Sequence, residues 1–139
     1  MASAIIIADS ICSNGKRLTT FELEYQRFVH SEFMTHRMIS KNSASSRAIP
    51  ISSVIEQIQG NPAMPVYWGK NQSGMSAKEE LVGRELYEAK KIWLEARDKA
   101  ILEATRLSEL GLHKQIANRI LEPWVHMKVV ASATEWDNF

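Results

Sequence analysis

The residues best suited to chemistry lie at positions 35–48, in the sequence THRMISKNSASSRA. This segment holds one histidine, two arginines, one lysine and four serines, and it carries no acidic residue. Arg37 and Arg47 each present a planar fork of donors that suits a phosphate group, and serine hydroxyls can hold phosphate oxygens. We therefore predict anion or nucleotide binding, because the segment has neither the paired carboxylates of a hydrolase nor the Cys/His spacing of a metal site.

A polar loop with no ligand is the simpler interpretation of the same residues. Ser-rich loops are common, and cations such as His36 and Arg37 offset the helix dipole when they end a helix. The order of the residues favours a binding site, with fixed spacing among His36, Arg37, Ser40, Asn42, Ser45 and Arg47. This pattern resembles the signature of the flavin-dependent thymidylate synthases, in which Arg-His-Arg is followed by Ser, Asn, Ser and Arg-Tyr.

Length and composition predict one domain over residues 1–139. The chain is 45% hydrophobic and 24% charged, which is ordinary for a globular domain. Its net charge of +1 gives no strong field for nucleic acid or an anionic membrane. Cys12 is the single cysteine, so neither an internal disulfide nor a thiolate zinc cluster is expected. With no signal peptide and no apolar run of about 18 residues, we expect a cytoplasmic protein without a membrane span.

The apolar pattern predicts an α+β fold, in which an N-terminal β-hairpin or antiparallel sheet packs with a long helix and further helices. Residues 5–11 are apolar and β-branched, which predicts a buried strand. Asn14 and Gly15 form the strongest short hairpin signal, and the alternation over 21–26 predicts the second strand. Residues 28–38 follow a helical spacing, and 40–46 are predicted to form a loop.

Helices are predicted for most of the remaining chain. A capping-box spacing at 53–56 predicts a short helix that ends near residue 60, and 63–74 is expected to be irregular. A longer apolar stripe predicts a helix over 76–110, stopped by Gly111. At 1.5 Å per residue that helix would span about 50 Å, which suggests a subunit contact or a kink. A helix over 112–121 should break at Pro123, and a further helix should run to the C-terminus.

The resemblance to the flavin-dependent thymidylate synthases extends beyond the central pattern. Thr19-Thr20-Phe21-Glu22 is similar to the family's Thr-Pro-Phe-Glu segment, and residues 117–123 are similar to its Ala-Arg-Ile-Val-Leu-Pro segment. Asn138-Phe139 resembles the start of its Asn-Phe-Leu-x-Leu-Arg helix. The resemblance implies FAD as cofactor, NADPH and methylenetetrahydrofolate as co-substrates, and conversion of dUMP to dTMP. It also implies a homotetramer with its sites at subunit interfaces.

Residue roles follow from the resemblance alone. It implies that the flavin contacts Thr19, Glu22, His36, Arg37, Met38 and Asn138. It implies that the nucleotide contacts Glu32, Ser45, Ser46, Arg47 and Arg119, with Arg119 entering from another subunit. No enzyme cysteine attacks the uracil ring in this family, and the activating arginine is expected beyond Phe139, so no catalytic residue is assigned within the chain.

The sequence also departs from the family pattern. Thr35 replaces the first arginine, Ala48 the closing tyrosine, and Arg17 an upstream histidine. The chain ends at Phe139, before the arginine that activates uracil, so the resemblance implies a C-terminally truncated member. Its Trp-Gly-Lys-Asn-Gln at 68–72 resembles a divergent, phage-like branch. The alternatives are a flavin-dependent pyrimidine-nucleotide hydroxymethylase, a nucleotide- or RNA-binding module without catalysis, and a helical interaction protein.

Overall fold

The computed structural model describes residues 2–45 and 47–137 and has the predicted α+β fold. Four strands of the described residues form one antiparallel sheet: β1 (Ser3–Ile11), β2 (Arg17–Gln26), β3 (Ser40–Ser43) and β4 (His126–Ala133). Their order across the sheet is β1-β2-β4-β3. The described α-helices are α1 (His30–Met34), α2 (Ile51–Gly60), α3 (Gly83–Glu109) and α4 (Lys114–Ala117). Two 3-10 helices, Arg27–Val29 and Asn118–Trp124, precede α1 and follow α4.

The predicted β-hairpin is confirmed. β1 and β2 pair in antiparallel register, from Ser3 opposite Glu24 to Ile11 opposite Arg17. The Cys12 N–H donates to the Lys16 carbonyl at 2.9 Å and closes the turn. Gly15 has a φ of 84°, a backbone conformation that glycine adopts without steric cost.

The prediction that residues 5–11 are buried is wrong. β1 is an edge strand, and each of its residues is exposed. Ile5, Ile6 and Ile7 keep 55%, 56% and 52% of their surface accessible. An apolar run signals burial, but it does not show whether the covering surface belongs to the same chain. This exposed isoleucine strand is therefore a surface suited to another copy or a partner.

The prediction of a helix after Pro123 is wrong, because residues 126–133 form β4. This strand lies inside the sheet, with β2 on one side and β3 on the other. Met127, Val129 and Ala131 are buried, whereas Lys128 and Val130 between them are exposed. The spacing of two and the valines favour a strand once both edges can pair.

The predicted loop at 40–46 is wrong in its first half. Residues 40–43 form β3, which pairs with β4 from Ser40 opposite Ser132 to Ser43 opposite Val129. Its four residues alternate exposed and half-buried. The partner strand is about ninety residues away along the chain, so no local pattern could signal the pairing.

The helix predicted over 28–38 is shorter in the structure. A 3-10 helix runs through Arg27–Val29, and α1 ends at Met34. The Thr35 hydroxyl donates to the Glu32 carbonyl at 2.7 Å, at the end of α1. His36 and Arg37 thus lie beyond the helix, and their assignment to its last turn is wrong.

Both longer helices begin at positions other than those predicted, and the predicted capping box at 53–56 does not start α2. α2 begins at Ile51 after Pro50, so residue 53 lies within its first turn. α3 begins at Gly83 rather than at residue 76. Residues 69 and 80 instead form an antiparallel bridge, in which the Glu80 carboxylate accepts a bond from the Trp68 N–H at 3.0 Å. This bridge closes residues 69–80 into a loop that precedes α3.

Pro123 does not end the segment after α4 as predicted. It lies inside the 3-10 helix Asn118–Trp124 that continues from α4. Proline has no N–H, so Pro123 cannot donate an i→i−3 hydrogen bond, and the helix ends one residue after it at Trp124. Among the described residues, no helix has both the length and the apolar character needed to cross a membrane.

Two apolar cores hold the fold together. One lies between one sheet face and α1, and it contains Leu23, Phe33, Ile39, Met127, Val129, Ala131 and Ala133. The other joins α2, α3 and the second 3-10 helix, and it contains Val54, Ile58, Ala104, Leu121 and Trp124.

Candidate functional site

The first cavity near the predicted site residues lies between the β1–β2 edge and α1. It has a volume of about 490 Å³, and we call it the α1 cavity; its lining includes Ala4, Leu23, Tyr25, Glu32, Phe33 and His36. Glu32 and His36, which were assigned to nucleotide and flavin, therefore line one cavity. The Lys41 ammonium donates to the His36 carbonyl and lies 5.1 Å from the Phe33 ring centre. These contacts hold the chain around His36 against the sheet core.

A second cavity, the arginine cavity, lies on the other side of His30. It has a volume of about 470 Å³ and is lined by Arg27, Phe28, His30, Ser31, Arg119 and Glu122, together with Pro123. The Glu122 Oε1 atom forms an ion pair with Arg27 at 3.0 Å and accepts a hydrogen bond from Arg119 at 2.8 Å. One carboxylate oxygen thus holds two guanidinium groups at the cavity wall.

A Tyr25–His30 hydrogen bond of 2.7 Å links the two cavities. Burial raises the pKa of the Tyr25 phenol to about 12. Burial, followed by repulsion from Arg27 and Lys41, lowers the pKa of the His30 imidazole. Both groups are therefore neutral near pH 7. When the phenol donates to Nδ1, the Nε2–H of His30 is left as a donor at the arginine cavity.

The raised pKa of Tyr25 predicts a loss of stability at alkaline pH. The folded chain keeps the phenolic proton up to about pH 12, whereas the unfolded chain loses it near pH 10. Because the folded state then binds more protons, the free energy of unfolding should fall as pH rises through this window. Urea unfolding at pH 8, 10 and 11 should show a smaller decline for Tyr25→Phe than for the wild type. Tyr87→Phe, at an exposed position on α3, is the control and should behave as the wild type does.

A third cavity, the loop cavity, has a volume of about 220 Å³ and lies beneath the chain that leaves β3. Its lining includes Arg27, Ala44, Asn118, Glu122, His126 and Lys128. His126 is 5% exposed, and burial is the main cause that lowers its pKa. Its Nδ1 makes no hydrogen bond within the described part of the chain. Arg27 and Glu122 line this cavity and the arginine cavity, so the two adjoin.

Ser45 and Arg47 lie in a turn after β3. The Ser45 hydroxyl accepts from the Arg47 N–H at 3.3 Å, and its carbonyl accepts from the Ala48 N–H at 3.2 Å. The Asn118 amide donates to the Ile49 carbonyl at 3.1 Å. Because Arg119 follows Asn118, the structure brings the Ser45–Arg47 turn and the segment that carries Arg119 to one region.

Arg37 and Arg47 lie on either side of β3 in the chain. Arg37 precedes β3 and Arg47 follows it, and a four-residue strand spans about 13 Å. Both side chains are exposed, and neither guanidinium makes a hydrogen bond or ion pair with other described residues.

Thr19 and Glu22 point to opposite faces of β2, because they are an odd number of residues apart on one strand. The Thr19 hydroxyl donates to Asp9 at 3.1 Å, and Asp9 also pairs with Arg17. Glu22 lies 4.0 Å from the Lys128 ammonium on the other face. One flavin molecule cannot contact both side chains from a single face of this sheet.

Of the three remaining predicted flavin or nucleotide residues, the structure describes only Met38. The Met38 side chain is 77% exposed in the turn before β3. Ser46 and Asn138 lie outside the described residues, so their assignments stay predictions.

The solved structures that resemble this chain include two of PolB, a UMP/dUMP methylase from Streptomyces cacaoi. The structure bound with 5-Br UMP has a TM-score of 0.76 and 15% identity, covering 96% of this chain and 72% of that chain. The structure bound with 5-Br dUMP has a TM-score of 0.74 and 13% identity, covering 96% and 73%. This chain shares the fold of a nucleotide methylase. Comparison with protein-family models and with curated protein sequences gives no significant match.

Sequence reasoning missed four residues that line these cavities: Arg27, Tyr25, His30 and His126. Arg27 lies just before the predicted helix at 28–38, and His30 lies within it. A single basic residue at such a position does not indicate a binding site. Tyr25 was placed on a strand without a role, and His126 was placed in a helix. Their proximity depends on β4 and the second 3-10 helix folding back onto β2 and α1, which no local spacing reveals.

Proposed function

We propose that this chain is a subunit of a flavin-dependent enzyme that methylates dUMP to dTMP, with methylenetetrahydrofolate and NADPH as co-substrates. One observation carries the proposal. The His36-to-Arg47 pattern lies along β3 in a fold shared with a methylase that was solved with 5-Br UMP and with 5-Br dUMP. Neither the shared fold nor the pattern would be sufficient alone, since folds host many functions.

The exposed residues around β3 are suited to these ligands. Arg47 and the Ser45 hydroxyl offer donors for the nucleotide phosphate, and Arg119 is proposed to reach a nucleotide held by a neighbouring chain. Arg37 has no ion pair among the described residues, so its guanidinium is available to a flavin. The exposed Met38 can cover an apolar ring. Glu32 and His36 would contribute from the α1 cavity.

FAD would supply the redox chemistry, together with the folate that donates the one-carbon unit. The tasks left to the chain are to bind, orient and desolvate these molecules. Charge-assisted bonds from arginines to a phosphate fix the nucleotide, and a cation beside the flavin stabilises negative charge on the reduced ring.

The oligomeric state belongs to the same proposal. Arg37 and Arg47 lie at opposite ends of β3, and Thr19 and Glu22 lie on opposite sheet faces. In a site shared between two chains, such residues from different chains would contact the same ligand. The exposed isoleucines of β1 supply apolar surface for that contact. We propose a homotetramer, and light scattering of the purified protein should give the mass of four chains.

A turnover assay tests the proposed reaction. The protein is incubated with FAD, NADPH, methylenetetrahydrofolate and dUMP, and the nucleotides are separated by chromatography. The expected product is dTMP, with none formed when the folate is left out. Formation of 5-hydroxymethyl-dUMP would instead indicate the hydroxymethylase alternative. Salt-dependent RNA binding with no bound flavin and no product would contradict the proposal and favour a binding module.

A further inference from the structure

The arginine cavity holds more basic groups than its single acid can balance. Arg27, His30 and Arg119 line it, and Glu122 is the one carboxylate among its described lining residues. Both guanidinium groups bind the same Oε1 atom of Glu122, at 3.0 and 2.8 Å. Two positive charges therefore face one negative charge, and an anion that enters the cavity would meet a net positive environment.

Unused donors also remain at the cavity. A guanidinium has five N–H donors, and the ion pair with Glu122 leaves several of them on each arginine. Ser31 adds a hydroxyl, whose present partner is the neighbouring Glu32 carboxylate at 3.0 Å. His30 adds its Nε2 atom, because Nδ1 is occupied by the Tyr25 hydroxyl.

These donors surround a cavity of the right scale. A volume of about 470 Å³ lies within the range of small-molecule sites. The side chains of Arg27 and Glu122 are only 21% and 27% exposed, so bonds to them are less screened than at an open surface. Phe28 and Pro123 add apolar walls beside the charged groups.

We propose that Arg27 and His30, with Ser31, join Arg119 of the same chain in binding the phosphate of the nucleotide, which Ser45 and Arg47 of a neighbouring chain contact from the other side. This inference rests on the proposed function, and it adds binding residues that no sequence pattern indicates. A phosphate monoester fits because it carries close to two negative charges and three terminal oxygens, enough for two guanidinium forks, an imidazole and a hydroxyl. Glu122 pairs with both arginines in the absence of the phosphate and competes with it for their donors.

Isothermal titration calorimetry of the purified protein, loaded with FAD, tests the inference. The titrants are dUMP, deoxyuridine and inorganic phosphate. Arg27→Ala should weaken dUMP binding by about tenfold to a hundredfold, the range expected for one lost charge-assisted contact. Deoxyuridine binding should stay unchanged, because this nucleoside lacks the phosphate. His30→Gln should weaken dUMP and phosphate binding in the same direction, and Arg27→Lys should recover part of the loss.

Two controls separate binding from structure. Arg97→Ala removes an arginine of similar burial, paired with Asp98 on α3, and should leave dUMP affinity unchanged. Glu122→Gln removes the competing negative charge and should leave dUMP affinity equal or higher. If Arg27 only supports the fold through Glu122, Glu122→Gln should instead weaken dUMP binding as much as Arg27→Ala does, and that result would overturn the inference.

The outcomes also distinguish this inference from the proposed function. Wild-type protein that binds dUMP, with Arg27→Ala and His30→Gln binding it equally well, would overturn the inference and leave the proposed function standing. Wild-type protein that binds phosphate at Arg27 but neither FAD nor dUMP would support an anion site and contradict the proposed function.

Discussion

Trp124→Ala should lower the free energy of unfolding by about 3–5 kcal/mol, the range for removing a large buried aromatic side chain. Trp124 is 7% exposed and lies in the core formed by α2, α3 and the second 3-10 helix. Its ring centre lies 5.9 Å from that of Trp93, and its Nε1–H donates to the Trp93 carbonyl at 3.1 Å. The substitution would leave a cavity in this core and remove the hydrogen bond that Trp124 donates to the Trp93 carbonyl.

Two matched variants separate the contributions at Trp124. Trp124→Phe keeps an aromatic ring but loses the hydrogen bond, so it should cost less than alanine. Trp68→Ala removes a half-buried tryptophan whose ring centre lies 6.1 Å from that of Trp93. It should also lower the free energy of unfolding by less than Trp124→Ala does. Urea unfolding followed by tryptophan fluorescence measures all three. A loss below about 1 kcal/mol for Trp124→Ala, the level of a surface change, would contradict this core packing.

Arg47→Ala should weaken dUMP binding by about tenfold to a hundredfold, since a charge-assisted bond to phosphate is worth roughly 1.5–3 kcal/mol. The side chain is exposed and makes no hydrogen bond or ion pair with the other described residues. Its removal should therefore leave the free energy of unfolding unchanged. Calorimetric titration with dUMP, beside a urea unfolding curve, measures both quantities.

Arg84→Ala is the matched control for Arg47. Arg84 is equally exposed, near the start of α3, and likewise has no partner in the described residues. It should change neither binding nor stability. Equal dUMP affinity for Arg47→Ala, Arg84→Ala and the wild type would show that the turn after β3 does not hold the nucleotide. That result would favour the interpretation of this segment as a polar loop.

The parts of the fold that depend on neighbouring residues were predictable from the sequence. The hairpin over β1 and β2 followed from Asn14-Gly15 and from the alternation over 21–26, because both signals act within a few residues. α3 followed from its apolar stripe, although it begins seven residues later than predicted. The later start has a structural cause, because Glu80 pairs with Gly69 in an antiparallel bridge instead of entering the helix.

The parts that depend on distant pairing were not predictable. β4 has β-branched and alternating residues, but whether it forms a helix or a strand depends on its pairing with β2 and β3. β2 precedes β4 by about 100 residues of chain, and β3 precedes it by about 90. β3 contains polar residues that become a strand only because β4 offers an edge. The exposure of β1 shows a different limit of sequence analysis. An apolar run does not indicate whether its own chain or another chain covers it.

The candidate site shows the same division. The ordered pattern from His36 to Arg47 could be found in the sequence, because its residues lie within twelve positions. The cluster of Arg27, His30 and Glu122 could not, since its members come from separate segments joined by packing. The ligands assigned to both groups of residues stay predictions.

Flavin uptake by the purified protein is the most direct test of whether the β3 region serves a flavin-dependent nucleotide methylase. The protein is incubated with FAD, desalted and scanned in the visible range, and dUMP is then titrated while the flavin band is followed. We expect the band to remain with the protein and to shift as dUMP binds beside the ring. A colourless protein after desalting, with no spectral response when FAD and dUMP are added together, would contradict the proposal.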